Sequence, residues 1–146
     1  MNILILNGPN LHVIGTREPK IYGSRSFDSF YQELSAGFQN IRFSYFQSNH
    51  EGELIDRLYQ AQEEGIDGVV FNAGAYTHTS LALADAIRAV SIPVIEVHIS
   101  NVASREEIRR TSLIASACVG SISGFGLFSY TLGCYALLDH INKQVE

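Results

Sequence analysis

Long apolar runs, basic residues and cysteines are all scarce or absent in this sequence of 146 residues. No apolar run approaches the roughly 18 residues that a membrane helix needs, so we expect no membrane as a partner. Residues 1–4 show neither a basic segment nor a small-residue cleavage site. We therefore expect no secretory signal.

The sequence has only two cysteines, Cys118 and Cys134, which lie in separate apolar segments. Their number and spacing form neither a disulfide framework nor a metal-binding pair. We expect two buried thiols in a reducing compartment, the cytoplasm.

Basic residues are outnumbered, because ten Lys and Arg stand against fifteen Asp and Glu, for a formal net charge of −5. Proteins that bind nucleic acid usually carry a basic face, so nucleic acid is not expected as a partner. An anionic small molecule is still allowed as a substrate, since a local cluster of arginines decides that question.

Signatures of metal and nucleotide sites are also missing. Four histidines, His12, His50, His78 and His98, match no recognised spacing of metal ligands. The glycines form neither a G-x-G-x-x-G fingerprint nor a P-loop, so nucleotide binding has little support.

The sequence does contain short apolar segments that alternate with helical patterns. Five segments predict strands, at residues 2–6, 43–46, 68–72, 93–99 and 119–123. They are mostly continuous in hydrophobicity, which is typical of buried parallel strands. Helical spacing of Leu54, Leu58 and Ala61 predicts a helix that Gly65 ends, and a last helix is predicted over residues 130–143.

Two further helices are predicted from their starts. One begins near Thr77 or Thr79. The other is short and ends at Arg110, and the pattern of Ser104 followed by Glu107 predicts a capping box that opens it.

Strands alternating with helices predict a single α/β domain over residues 1–146, with one parallel, doubly wound sheet. In such sheets ligands bind beyond the carboxyl ends of the strands, at the point where the strand order reverses. Polar residues are concentrated just after the predicted strands, which makes that edge the candidate site.

A loop after the first strand carries one candidate pair. Residues 15–23 are bounded by glycines and have no strand or helix periodicity, which predicts a mobile loop able to cover a site. A tyrosine has an ordinary pKa of about 10 and acts as a base only beside positive charge, which Arg17 can supply to Tyr22. Composition alone favours the plainer alternative, in which both side chains pack or face solvent.

The end of the fourth strand carries a second pair. Residues two apart in a strand point to the same side, so Glu96 can hydrogen-bond the imidazole of His98 and favour its protonated form. Such a histidine can donate a proton to a leaving oxygen. The alternative is a half-buried histidine whose hydrogen bonds are satisfied within the fold.

Residues that follow this pair can bind an anion. The backbone after Ile99 and the hydroxyl of Ser100 can hold a carboxylate, and Arg105 and Arg109 add positive charge from one face of the predicted short helix. The alternative for both arginines is a solvated surface position. Donors and acceptors suited to hydroxyl groups stand at Asn10, Asn72 and His78. The alternative for each is a turn or cap residue, and for Asn10 the two interpretations are about equally favoured.

Six stretches in register resemble one family, the type II 3-dehydroquinate dehydratases. They are LNGPNL (6–11), GTREP with IYG (15–19 and 21–23), QSNHEG (47–52), GAYTHTS (74–80), IPVIEVHISN (92–101) and GFG (124–126). The resemblance covers nearly the whole chain. Two positions depart from the common pattern, His12 in place of asparagine and Ala73 in place of proline.

This resemblance implies a flavodoxin-like, three-layer α/β/α fold with a five-stranded parallel sheet. It implies an enzyme of the shikimate pathway that removes water from 3-dehydroquinate by anti elimination through an enolate, giving 3-dehydroshikimate. The family uses no metal, no cofactor and no Schiff-base lysine. A non-catalytic module of the same fold that binds a small anion is the alternative, and a metal-dependent lyase is a weaker one.

The resemblance also implies a role for each candidate. Tyr22 takes the proton alpha to the ketone and Arg17 keeps it phenolate-like. His98 protonates the departing hydroxyl with Glu96 behind it, and Asn10 holds a water near the enolate oxygen. Substrate contacts are implied at Asn72, His78, Ile99, Ser100 and Arg109.

Family members assemble as trimers that form dodecamers, so a homododecamer is implied here. Asp85 matches an acidic residue that reaches the site across a subunit boundary.

Overall fold

A five-stranded parallel sheet forms the centre of the computed structural model, which describes residues 1–16, 20 and 24–145. Its strands are β1 (Asn2–Asn7), β2 (Arg42–Gln47), β3 (Gly68–Asn72), β4 (Val94–His98) and β5 (Gly120–Ser123). They lie in the order β2-β1-β3-β4-β5, which is the flavodoxin-like order of doubly wound sheets. Each predicted strand differs from the observed one by no more than one residue at either end.

Helices cover both faces of the sheet and complete three layers. They are α1 (Phe27–Gly37), α2 (Glu51–Glu63), α3 (Leu81–Ala89) and α4 (Phe128–Val145). Side chains alternate across each strand, so Leu4 and Leu6 join a core with α2 and α3, whereas Ile3 and Ile5 join a core with α1 and α4. The predicted α/β/α fold is therefore confirmed. None of the helices described combines the length and apolar content needed to cross a membrane.

Two glycines allow α4 to lie unusually close to the sheet. A Cβ atom on Gly133 would stand 2.9 Å from Cγ1 of Val97, and one on Gly68 would stand 2.6 Å from Cδ2 of Leu137. Contacts this short do not occur between real side chains, so larger residues would push the helix away. The close packing places Tyr130, near the start of α4, under the strand ends.

Several helix predictions need correction. Helix α1 was not predicted, although Phe27, Phe30 and Leu34 stand at helical spacing and the hydroxyl of Ser26 accepts from the backbone of Ser29 at 3.2 Å. Helix α3 begins at Leu81, and its cap, Ser80, lies one residue beyond Thr79, the later of the two predicted starts.

The capping box predicted between Ser104 and Glu107 is wrong. Ser104 is the last residue of a 3-10 turn, Val102–Ser104, and its hydroxyl donates to the carbonyl of Asn101 at 2.8 Å. The next turn is a 3-10 helix over Glu107–Arg110 that follows Glu106 and has no side-chain cap. The hydroxyl of Ser104 thus bonds backward in the chain, and the turn that follows starts after Glu106 rather than after Ser104.

Candidate active site

A cleft opens at the carboxyl ends of β1, β3 and β4, where the strand order reverses. It contains about 510 Å³ of empty space, part of it open solvent. Seven of the predicted site residues line it together: Asn10, Asn72, His78, His98, Ile99, Ser100 and Arg109. The cleft lies where doubly wound sheets bind their ligands.

His98 and Glu96 form the predicted pair at the end of β4. Nε2 of His98 lies 3.0 Å from Oε1 of Glu96, and both side chains are buried. A carboxylate oxygen accepts, so Nε2 carries the proton of this hydrogen bond. The other ring nitrogen, Nδ1, has no hydrogen-bond partner among the residues that the structure describes, and the ring borders the cleft.

A serine that was not predicted also bonds the carboxylate of Glu96. The hydroxyl of Ser112 lies 2.9 Å from both carboxylate oxygens and donates to them. It accepts in turn from the backbone N–H of Ala115 at 3.0 Å. The thiol of Cys118 lies close enough that burial and the charge of Glu96 raise its pKa to about 12.

His78 stands beside His98, with ring centroids 6.2 Å apart and planes inclined by 23°. Its Nδ1 lies 2.8 Å from the carbonyl oxygen of Thr111, which can only accept, so Nδ1 carries a proton. No group of three or more His, Cys, Asp or Glu side chains in the described ranges is arranged to hold a metal ion.

Asn72 is held at the floor of the cleft by a buried network. Its amide donates to the hydroxyl of Tyr130 at 2.9 Å, and its carbonyl oxygen accepts from the backbone N–H of Gly74 at 3.1 Å. The Tyr130 hydroxyl donates to the side chain of Asn7 at 2.7 Å. Full burial raises the pKa of Tyr130, so it stays a neutral phenol that both donates and accepts.

Asn10 borders the cleft in a left-handed backbone conformation, with φ of 67°. Its backbone N–H donates to Oδ1 of Asn49 at 3.0 Å, which fixes the turn after β1. The same turn packs tightly on the loop after β3, because a Cβ atom on Gly8 would stand 2.5 Å from the carbonyl oxygen of Ala73. Ala73 is thus a buried contact, whereas His12 is exposed.

Two arginines give the cleft a positive wall. Nε of Arg109 lies 3.1 Å from Glu106, and Nε of Arg105 lies 3.7 Å from the same carboxylate. The backbone of Glu106 itself, and then Arg109, lower the pKa of this exposed carboxyl group. Both arginines line the cleft as expected, but Arg105 precedes the short helix and does not share a helical face with Arg109.

One predicted residue lies elsewhere, and two fall outside the described part of the chain. Asp85 is on α3 outside the cleft, with 80% of its side chain exposed, and pairs with Arg88 at 3.8 Å. Arg17 and Tyr22 lie outside the described residues. Lys20, which stands between them in sequence, lines a cavity with Ser100 and Arg105, which also border the cleft.

Three residues that build the site were not predicted. No local pattern marks Thr111 or Ser112, because neither follows a strand and their contacts are formed only in the fold. Tyr130 was assigned to a helix, and nothing in its apolar spacing distinguishes it from an ordinary core residue.

Comparisons with known proteins agree with one another. Residues 1–138 match the model of the family described as Dehydroquinase class II. The chain is 56% identical over 139 residues to a 3-dehydroquinate dehydratase of Caldicellulosiruptor saccharolyticus, with 94% of this chain and 96% of that protein covered. It is similar to the crystal structure of a type II dehydroquinase from Butyrivibrio crossotus, with a TM-score of 0.90, 45% identity and coverage of 94% and 97%.

Proposed function

Since the chain belongs to the dehydroquinase class II family, we propose that its cleft binds 3-dehydroquinate and that the enzyme removes water from it to give 3-dehydroshikimate. The enzyme is a hydro-lyase of the shikimate pathway, which leads to the aromatic amino acids. One observation carries the proposal beyond the family match: a buried Glu96–His98 pair borders the cleft at the reversal of strand order.

His98 is the proton donor in this proposal. Its hydrogen bond to Glu96 leaves Nδ1 as the nitrogen that can meet the substrate. A proton on Nδ1 makes the ring an imidazolium, with Nε2 still bonded to the Glu96 carboxylate. His98 then passes this proton to the departing hydroxyl, and the bond between that oxygen and its carbon breaks.

Tyr22 is the proposed base, and Arg17 keeps it phenolate-like. The proton alpha to a ketone is far less acidic than a phenol, so the developing enolate must be stabilised electrostatically as well as approached by the base. Asn10 holds a water near the enolate oxygen. Lys20, from the same loop, lines a cavity together with Ser100, which supports placing this loop over the cleft.

The remaining proposed contacts hold the substrate. Asn72 and His78 present amide and imidazole groups to its hydroxyls. Ser100, the backbone around Ile99 and the guanidinium of Arg109 bind its carboxylate, since a guanidinium pairs well with that planar anion. These contacts orient the substrate between base and acid.

We also propose a homododecamer in which Asp85 reaches the cleft of a neighbouring subunit. Asp85 is exposed on α3, and Leu81, one turn earlier, is 67% exposed although apolar. Asp85→Ala should lower turnover, and Asp139→Ala, which breaks the comparable exposed pair with Lys143, should not. Sedimentation velocity should give an assembly of twelve chains; a fully active monomer would contradict the proposal.

Residues 1–146 are proposed to form one catalytic domain that works in the cytoplasm. The four helices cover one single sheet, which supports the proposal of one domain. The thiols of Cys118 and Cys134, which remain unpaired, are compatible with a reducing compartment. Fractionation of cells with an antibody against the protein tests the location.

The activity is tested by mixing the protein with 3-dehydroquinate and following the ultraviolet absorbance of the conjugated enone product. The rate of absorbance increase should be proportional to the enzyme concentration. No increase at micromolar enzyme would contradict the proposal. Binding without product would instead indicate a non-catalytic module. Retained activity after treatment with a chelator would exclude the alternative of a metal-dependent lyase.

A further inference from the structure

Ser112 bonds the carboxylate of Glu96 but has no part in the mechanism proposed above. Its hydroxyl donates to Glu96 at 2.9 Å and is itself oriented by the N–H of Ala115 at 3.0 Å. A hydroxyl has one proton, so this arrangement commits that proton to the carboxylate.

Glu96 needs such a donor because it is only 1% exposed. A buried carboxylate is costly unless its oxygens accept hydrogen bonds. His98 satisfies Oε1, and Ser112 is the described donor that also reaches Oε2. The carboxylate is thus bonded by two donors, and rotation away from the imidazole would also disturb its bonds to Ser112.

The segment that carries Ser112 is itself fixed to the site. The carbonyl of Thr111 accepts from His78 at 2.8 Å, and the N–H of Leu113 donates to the carbonyl of Thr77 at 2.8 Å. Three successive residues thus attach to both histidine-bearing parts of the cleft. The segment is anchored independently of Glu96, so it can serve as a fixed support for that side chain.

We propose that Ser112 is a positioning residue of the dehydratase: it fixes the Glu96 carboxylate so that His98 presents its proton to the substrate. This inference rests on the proposed function. It assigns Ser112 no contact with substrate, so its loss should affect the chemical step more than binding.

The test is Ser112→Ala in the full chain, assayed with 3-dehydroquinate. Turnover should fall about tenfold or more, the effect of losing one hydrogen bond to a charged group, while KM changes by less than about threefold. Ser112→Thr, which keeps the hydroxyl, should restore most of the turnover. Ser116→Ala removes a hydroxyl from the same stretch that bonds Arg88 at 2.8 Å, and should leave turnover within about twofold of the parent.

A double-mutant cycle separates positioning from a merely structural role, since Ser112 also supports the backbone at Ala115. When Glu96→Gln is already present, Ser112→Ala should cost little further turnover. Equal losses in both backgrounds, or a parent-like Ser112→Ala, would overturn the inference. If Ser112→Ala does not fold by circular dichroism, Ser112→Cys replaces it in the same cycle. An inactive parent enzyme would instead refute the proposed function.

Discussion

The side-chain amide of Asn72 donates a hydrogen bond to the hydroxyl of Tyr130, 2.9 Å away and 58 residues later in the chain. The same hydroxyl donates to Asn7 at 2.7 Å, so one phenol on α4 joins the ends of β1 and β3. The floor of the cleft is therefore built jointly by the sheet and by a helix that does not itself line the cleft.

Tyr130→Phe should weaken both stability and substrate binding. It leaves the Asn7 carbonyl oxygen and the Asn72 amide without this partner, which costs about 1–3 kcal/mol when the groups are buried. The free energy of unfolding in urea should fall by that amount, and KM for 3-dehydroquinate should rise because Asn72 is released. Tyr135→Phe on the same helix, where the tyrosine is exposed, is the control and should change neither.

His98→Ala should lower turnover by about two to four orders of magnitude, the usual contribution of general acid–base catalysis. Substrate analogues with better leaving groups should recover part of the loss, since they need less help from an acid. Steady-state assays with such analogues check this, and an absence of recovery would argue against an acid role. His140 is half-buried on α4 and bonds Gln144, away from the cleft, so His140→Ala should behave like the parent enzyme.

Tyr22→Phe and Arg17→Ala should each lower turnover by orders of magnitude and leave the fold intact. The first removes the ionisable oxygen, and the second removes the positive charge that favours its anion. Stopped assays with concentrated enzyme measure the residual rate, and circular dichroism checks the fold. Near-normal turnover of Tyr22→Phe would contradict the assignment of Tyr22 as the base. Tyr59→Phe, the same substitution at a position on α2, is the control and should leave turnover unchanged.

Gly8→Ala should destabilise the protein by about 1–3 kcal/mol, because the new methyl group would meet the backbone of Ala73 at 2.5 Å. The turn that carries Asn10 would shift with it, so turnover should fall as well. Gly52→Ala in α2 meets nothing within 4 Å and should be neutral or stabilising by up to about 1 kcal/mol. Thermal unfolding measures the stability of both variants. Equal changes in stability for Gly8→Ala and Gly52→Ala would refute the packing argument.

Much of the fold could be predicted because buried parallel strands leave a continuous apolar signal. The positions after those strands also identified most of the cleft, since the sheet brings its carboxyl ends to one edge. Asn72, His78 and His98 were found in this way.

The remaining features depend on contacts between residues far apart in sequence. Ser112 bonds Glu96 from a segment without regular secondary structure. Residue spacing along the sequence therefore does not predict this contact. Ser104 shows the converse: its pattern fits a cap, but the backbone turns earlier and its hydroxyl bonds Asn101. The role proposed for Asp85 depends on a contact with a neighbouring subunit. The residue spacing along one helix carries no information about such a contact.

The dependence of Asn72 on Tyr130 has a consequence for the order in which the enzyme matures during synthesis. The described residues that line the cleft run from Pro9 to Arg109, and Ser112 follows soon after. A nascent chain that has reached this point already carries both histidines, yet it lacks the phenol that holds the floor in place. The ribosome must add α4 before the cleft is complete, so nascent chains that end before Tyr130 should not carry out the reaction.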